Sequence, residues 1–209
     1  MKNTLAVIPL TLILSAATFA QRVDSIRSID FSNFTYPGSR GLFPTHEYET
    51  TRFTLRGGKS GDWRAGMTFQ KVMYGDVTGD GAEEALIILG VNTEGSAAVN
   101  HVYAYTLKNR RPQFLWGFES GDRAWGGLRK AYPKDGGLVI ELWGKGTRLG
   151  GDLVGSEFTG LCCPKSFTRT FYRWQNGGFR QQGGAEVLPN PMAGSHCSTC
   201  LPDSEKDGR

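Results

Sequence analysis

The chain reads as all-β: a single domain of antiparallel strands, built either as one twisted sheet or as a two-sheet sandwich of propeller-blade-like hairpins. Three observations predict this. Glycine is abundant, at 29 of 209 residues, and separates short segments rich in aromatic and β-branched side chains. Asp-Gly and Asn-Gly pairs stand where tight hairpins need positive φ. After residue 20, no stretch keeps a capped 3.6-residue apolar period.

The strands follow in order. Arg52 to Arg56 is closed by Gly57-Gly58, and Gln70 to Tyr74 follows. Ala85 to Leu89 is an unbroken apolar run, as expected of a central strand buried on both faces. His101 to Leu107 and Gln113 to Glu119 flank Lys108-Asn109-Arg110. Leu128 to Tyr132 and Leu138 to Trp143 flank Lys134-Asp135-Gly136-Gly137. Thr168 to Gln175 and Phe179 to Gln182 flank Asn176-Gly177. That makes eight or nine strands. Thr168, Thr170, Tyr172 and Trp174 alternate with Arg169, Phe171 and Arg173, so one face is expected to be buried and the other solvated. Arg169, Arg173 and Arg180 read as part of a solvated strand face.

Residues 1–20 have the layout of a secretory signal helix: Lys2, an apolar core from Leu5 to Ala17, and small residues at Thr18 and Ala20. Cleavage is expected between Ala20 and Gln21. The core is too short to span a bilayer as an anchor, and no later stretch is long enough to do so. The expected location is secreted or periplasmic. Residues 21–50 read as irregular, 51–183 as the β-rich domain and 184–209 as a flexible, disordered tail. Loss of the leader removes Lys2 from the 24 basic residues and leaves 23 against 20 acidic ones. That balance is too weak to argue for nucleic acid or an anionic membrane. Asn33-Phe34-Thr35 fits a glycosylation acceptor in a eukaryotic secretory route.

Cys162, Cys163, Cys197 and Cys200 lie in the C-terminal quarter. In an exported protein, pairing of Cys162 and Cys163 with Cys197 and Cys200 is expected, because adjacent cysteines rarely bond each other. Free thiols and a zinc site that includes the neighbouring His196 are the alternatives.

The sharpest local signal runs from Gly75 to Glu84. Oxygen-bearing side chains recur at Asp76, Thr78 and Asp80, Gly81 permits a sharp turn, Ala82 offers a carbonyl, and Glu84 follows. Hard cations such as calcium need six to eight oxygens on a tightly curled loop. An EF-hand is excluded, because its twelfth position is Ile87. The first reading is nonetheless a metal-free turn held by its own Asp and Thr side chains, with bound calcium as the second.

This segment resembles the calcium loop of FG-GAP/VCBS-type repeats, whose pattern has acidic or amide residues at positions one, three, five and nine. Asp76, Asp80 and Glu84 match, whereas Thr78 departs from it. The resemblance implies calcium. It covers about 14 residues in one copy, and a propeller needs at least about four blades. A wider string also looks like a family of uncharacterised exported bacterial proteins, through Val102 to Leu107, Gly121-Asp122-Arg123 and Cys162-Cys163-Pro164. That likeness implies export and brings no activity with it.

Enzyme signals are weak. His46-Glu47 lacks the spacing of a zinc protease. Gly57-Gly58-Lys59-Ser60 lacks the first glycine of a phosphate loop, since Phe53 stands there. No Gly-x-Ser-x-Gly elbow occurs. Asp122, Glu141 or Asp152 are the carboxylates available for hydrolysis, and His101 reads as a satisfied strand residue. No catalytic residue is assigned. The expected function is an exported, non-catalytic β module, structural or adhesive, whose acidic loop is able to hold calcium. A carbohydrate- or cell-wall-binding domain is the alternative, with a glycan or cell-envelope partner and Trp63, Trp116, Trp125, Trp143 and Trp174 as stacking candidates. A hydrolase ranks third.

Overall fold

The computed structural model describes residues 24–38, 52–61, 65–93, 98–121, 126–144 and 164–193. Two 3-10 turns, Ile26–Ser28 and Phe31–Asn33, precede the strands β1 (Thr35–Pro37), β2 (Arg52–Thr54), β3 (Lys59–Gly61) and β4 (Ala65–Gly75). Then come β5 (Glu84–Thr93), β6 (Ala98–Lys108), β7 (Arg111–Glu119), β8 (Leu128–Lys134), β9 (Gly137–Trp143), β10 (Ser166–Gln175) and β11 (Gly178–Pro189). All pairings between these strands are antiparallel, in a five-stranded sheet ordered β3-β4-β5-β6-β7, a four-stranded sheet ordered β11-β10-β9-β8, and the ribbon β1-β2. The all-β reading therefore holds. Among the described residues, β1 and β3 bring the strands to eleven.

Alternation along β5 generates three layers. Leu86 and Ile88 point to one side, where they join Val102 and Ala104 of β6 and meet Leu138, Ile140 and Leu142 of β9. Ala85, Ile87 and Leu89 point to the other side. There the N-terminal segment lies on the sheet, with Ile26, Phe31 and Tyr36 packed on Tyr103 and Tyr105. The central strand is thus buried on both faces, as its apolar run implied. The segment read as irregular supplies this third layer. Its pairing partner Phe53 lies beyond the undescribed residues 39–51, so no local pattern marks it.

Two further expectations change. Along β10, Thr168, Thr170 and Tyr172 are buried as the alternation predicted, but Arg169, Phe171 and Arg173 are half-buried and all seven residues of β9 are buried, so the outer face of the four-stranded sheet is not simply solvated. And β11 continues beyond Gln182 to Pro189, after a bulge in which Gly183, Gly184 and Ala185 stand against Thr170 alone. The signal segment, the Ala20–Gln21 junction and all four cysteines lie outside the described residues. Among the described residues, no helix is long and apolar enough to cross a membrane.

Candidate metal centre

Asp76 follows the last residue of β4, and Glu84 is the first residue of β5, so the acidic loop is the hairpin connection between two central strands. Gly79 and Gly81 take φ of +78° and +84°, which reverses the loop twice within three residues. The reversals wrap backbone N–H groups around side-chain oxygens. Gly79 donates to Asp76 Oδ1 at 2.5 Å and Gly81 to Asp76 Oδ2 at 3.0 Å. Ala82 donates its N–H to Asp80 Oδ1 at 2.8 Å. Glu84 Oε2 accepts from the Val77 N–H at 3.0 Å and, more weakly, from the Thr78 N–H and hydroxyl. Thr106 of β6 donates to Glu84 Oε1 at 3.2 Å.

The outcome is convergence. One carboxylate oxygen from each of Asp76, Asp80 and Glu84 lies within 4.8 Å of the other two. Oxygens on opposite sides of a cation held at about 2.4 Å are about 4.8 Å apart, so this spacing fits one hard cation. Each oxygen already held by an N–H keeps further acceptor capacity. The triad could therefore hold a metal ion. Asp76 is half-buried, Asp80 is exposed and Glu84 is buried, which gives the cluster an open side and a dry floor. Burial pushes the Glu84 carboxyl above its ordinary range. The charge of Asp80 acts the same way, against the pull of the Val77 N–H and the Thr106 hydroxyl. A cation would relieve both upward pushes.

The loop also sits at a junction. A Cβ added to Gly136, in the turn between β8 and β9, would lie 3.2 Å from Gly79 Cα and 3.7 Å from Asp76 Oδ2. Arg173 of β10 holds that turn by donating to the carbonyls of Asp135 and Gly136. On the other flank, Glu83 accepts two hydrogen bonds from Arg27 at 2.6 and 2.7 Å, and Arg27 covers the Tyr74 ring. The loop thus touches the four-stranded sheet on one side and the N-terminal layer on the other. Thr106, Gly136 and Arg27 carry no local signal, since each comes from a distant part of the chain.

Glu141 is 1% exposed and is held by Arg129, by Arg169 Nε at 2.7 Å and by the Tyr132 hydroxyl at 3.3 Å. A bulge in β8 inserts Arg129 beside Lys130, the register partner of Glu141, and so brings the Arg129 guanidinium to this carboxylate. Arg169 and Arg173 are thus engaged rather than simply solvated. His101 faces Glu119 at 3.2 Å, with Tyr103 at its other ring nitrogen. The Asn33 amide donates to Asp30 and accepts the Gly57 N–H, which ties the second 3-10 turn to the turn before β3. Gly57 and Gly58 form the turn into β3 rather than a phosphate cradle. Trp116 stacks on Phe118, Trp143 meets Phe167 and Trp174 meets Phe179, so these three pack on rings of their own chain. His46, Trp63, Asp122, Arg123, Trp125, Asp152 and His196 lie outside the described residues. No family model, no curated protein and no solved structure matches this chain.

Proposed function

We propose that the chain is an exported, non-catalytic β module, structural or adhesive, in which the acidic loop takes calcium as a structural ion. The observation that carries the reading is the convergence of Asp76, Asp80 and Glu84 within 4.8 Å. Two supports stand beside it. The loop touches two other parts of the fold, so an ion there would stabilise the assembly rather than a lone turn. Glu141, one of the carboxylates available for hydrolysis, is matched to two guanidinium groups and serves packing. Calcium would supply positive charge among three carboxylates, and the exposed side would keep water in its shell.

Melting the purified mature chain in calcium and then in chelator tests this. A ligand at a hundredfold excess over its Kd stabilises by about 2.7 kcal/mol. At about 2–4 °C per kcal/mol, that is a rise of roughly 5–10 °C in Tm. Asp80→Ala is expected to abolish the rise. An unchanged Tm in millimolar calcium would leave the loop a turn held by its own side chains.

A further inference from the structure

We infer that β11 is a self-association edge, on which a second copy of this chain adds its own β11 antiparallel and joins two four-stranded sheets. Among the described residues, β11 is the terminal strand of its sheet, and residues 180–187 are all exposed. A terminal strand presents a row of unpaired backbone N–H and C=O groups, a template for another strand. Charged edges usually block such pairing, but this edge carries its charges in a self-complementary arrangement. Arg180 and Glu186 are its two charged residues, placed symmetrically about Gly183. A two-fold antiparallel pair centred there sets Arg180 of each copy opposite Glu186 of the other, Gln181 opposite Ala185, and Gln182 opposite Gly184.

The existing register makes the case independently of that symmetry. On β10, Arg180 faces Arg173 and Glu186 faces Arg169. Like charges directly opposite each other repel, and Arg180 forms no ion pair among the described residues. Glu186 is 61% exposed and reaches Arg169 only at 3.8 Å, while Arg169 has its main partner in Glu141. Each strand thus carries one unmatched cation and one loosely held anion. Both lie on the same face, because Arg173 and Arg169 share a face of β10. Gly183 takes a φ of +72° and interrupts the ladder at the two-fold axis, so the residues on either side of the bulge make the pairing, and the open space beside Gly183 and Gly184 leaves room where the two bends meet. The pair is isologous, so it closes at two copies and does not propagate.

Sedimentation of the mature chain from about 1 µM to about 1 mM, the range of weak to moderate association, tests the inference. A monomer–dimer equilibrium is expected. Arg180→Glu should weaken it at least tenfold, by placing a second carboxylate opposite Glu186 across the axis. The same change also removes the Arg173–Arg180 repulsion, so the monomer should fold at least as well. The charge swap Arg180→Glu with Glu186→Arg should restore the dimer. A chain that stays monomeric throughout, a dimer indifferent to Arg180→Glu, or a swap that fails to restore it would each overturn the inference.

Discussion

Glu84 Oε2 accepts the backbone N–H of Val77, seven residues earlier, at 3.0 Å, and the side chain that does so is 1% exposed. A carboxylate so placed closes the acidic loop from below, and burial raises its ionisation above the ordinary carboxylate range. Glu84→Gln keeps the size and an acceptor but removes the charge. It should fold, lose most of the stabilisation proposed for calcium, and cost less in chelator than Glu84→Ala, which strands the Val77 and Thr106 donors. Tm measured in calcium and in chelator for both variants checks the order.

Glu141 lies between Arg129 and Arg169 on the outer face of the four-stranded sheet. Removing one member of a buried charge cluster leaves the others uncompensated, at about 3–5 kcal/mol. Because Arg169 is 39% exposed, Glu141→Leu is expected near the lower end, about 3 kcal/mol. Adding Arg129→Leu should recover part of the loss. Urea unfolding of both singles and the double closes the cycle.

Three phenols at the seam between the N-terminal layer and the five-stranded sheet respond to alkali. Burial raises the ionisation of Tyr36, Tyr103 and Tyr105 above the ordinary value of 10.0. The unfolded chain therefore releases these protons first. Their contribution is complete below about pH 10 and is lost as pH rises toward the folded values. Phenolate absorbance for these residues should appear together with loss of the far-ultraviolet β signal. Ionisation well before unfolding would contradict the packing.

Close approach makes Gly137 hard to replace. A Cβ there would lie 2.5 Å from the Tyr172 carbonyl oxygen and 2.7 Å from the Phe171 ring. Gly137→Ala should cost about 1–3 kcal/mol by overpacking. Gly178→Ala meets nothing within 4 Å and should be close to neutral. Chemical denaturation of the two variants provides the contrast.

The strands were legible where the signal was local. Asn109, Arg110, Asp135 and Asn176 all take positive φ in the turns where the sequence places them. The run from Ala85 to Leu89 implied two buried faces, and β5 has them. The same local spacing brought out Asp76, Asp80 and Glu84. What escaped was relational. Tyr36 pairs with Phe53 across a long intervening stretch, and Gly183-Gly184 reads as a break although the strand resumes beyond it. Glu141 stands as one charge in an apolar run, and its two arginines come from other strands, one of them aimed by a bulge. Alternation tells which residues share a face; it does not tell how many neighbours that face will acquire.

The cover of the five-stranded sheet precedes that sheet in the chain. During translation, Ile26, Phe31 and Tyr36 emerge well before Tyr103 and Tyr105, the rings they finally meet. The nascent segment must wait without its partner, and folding cannot be completed from the amino end forward. A holding chaperone, or delay until the whole polypeptide has been released, suits such an order of assembly.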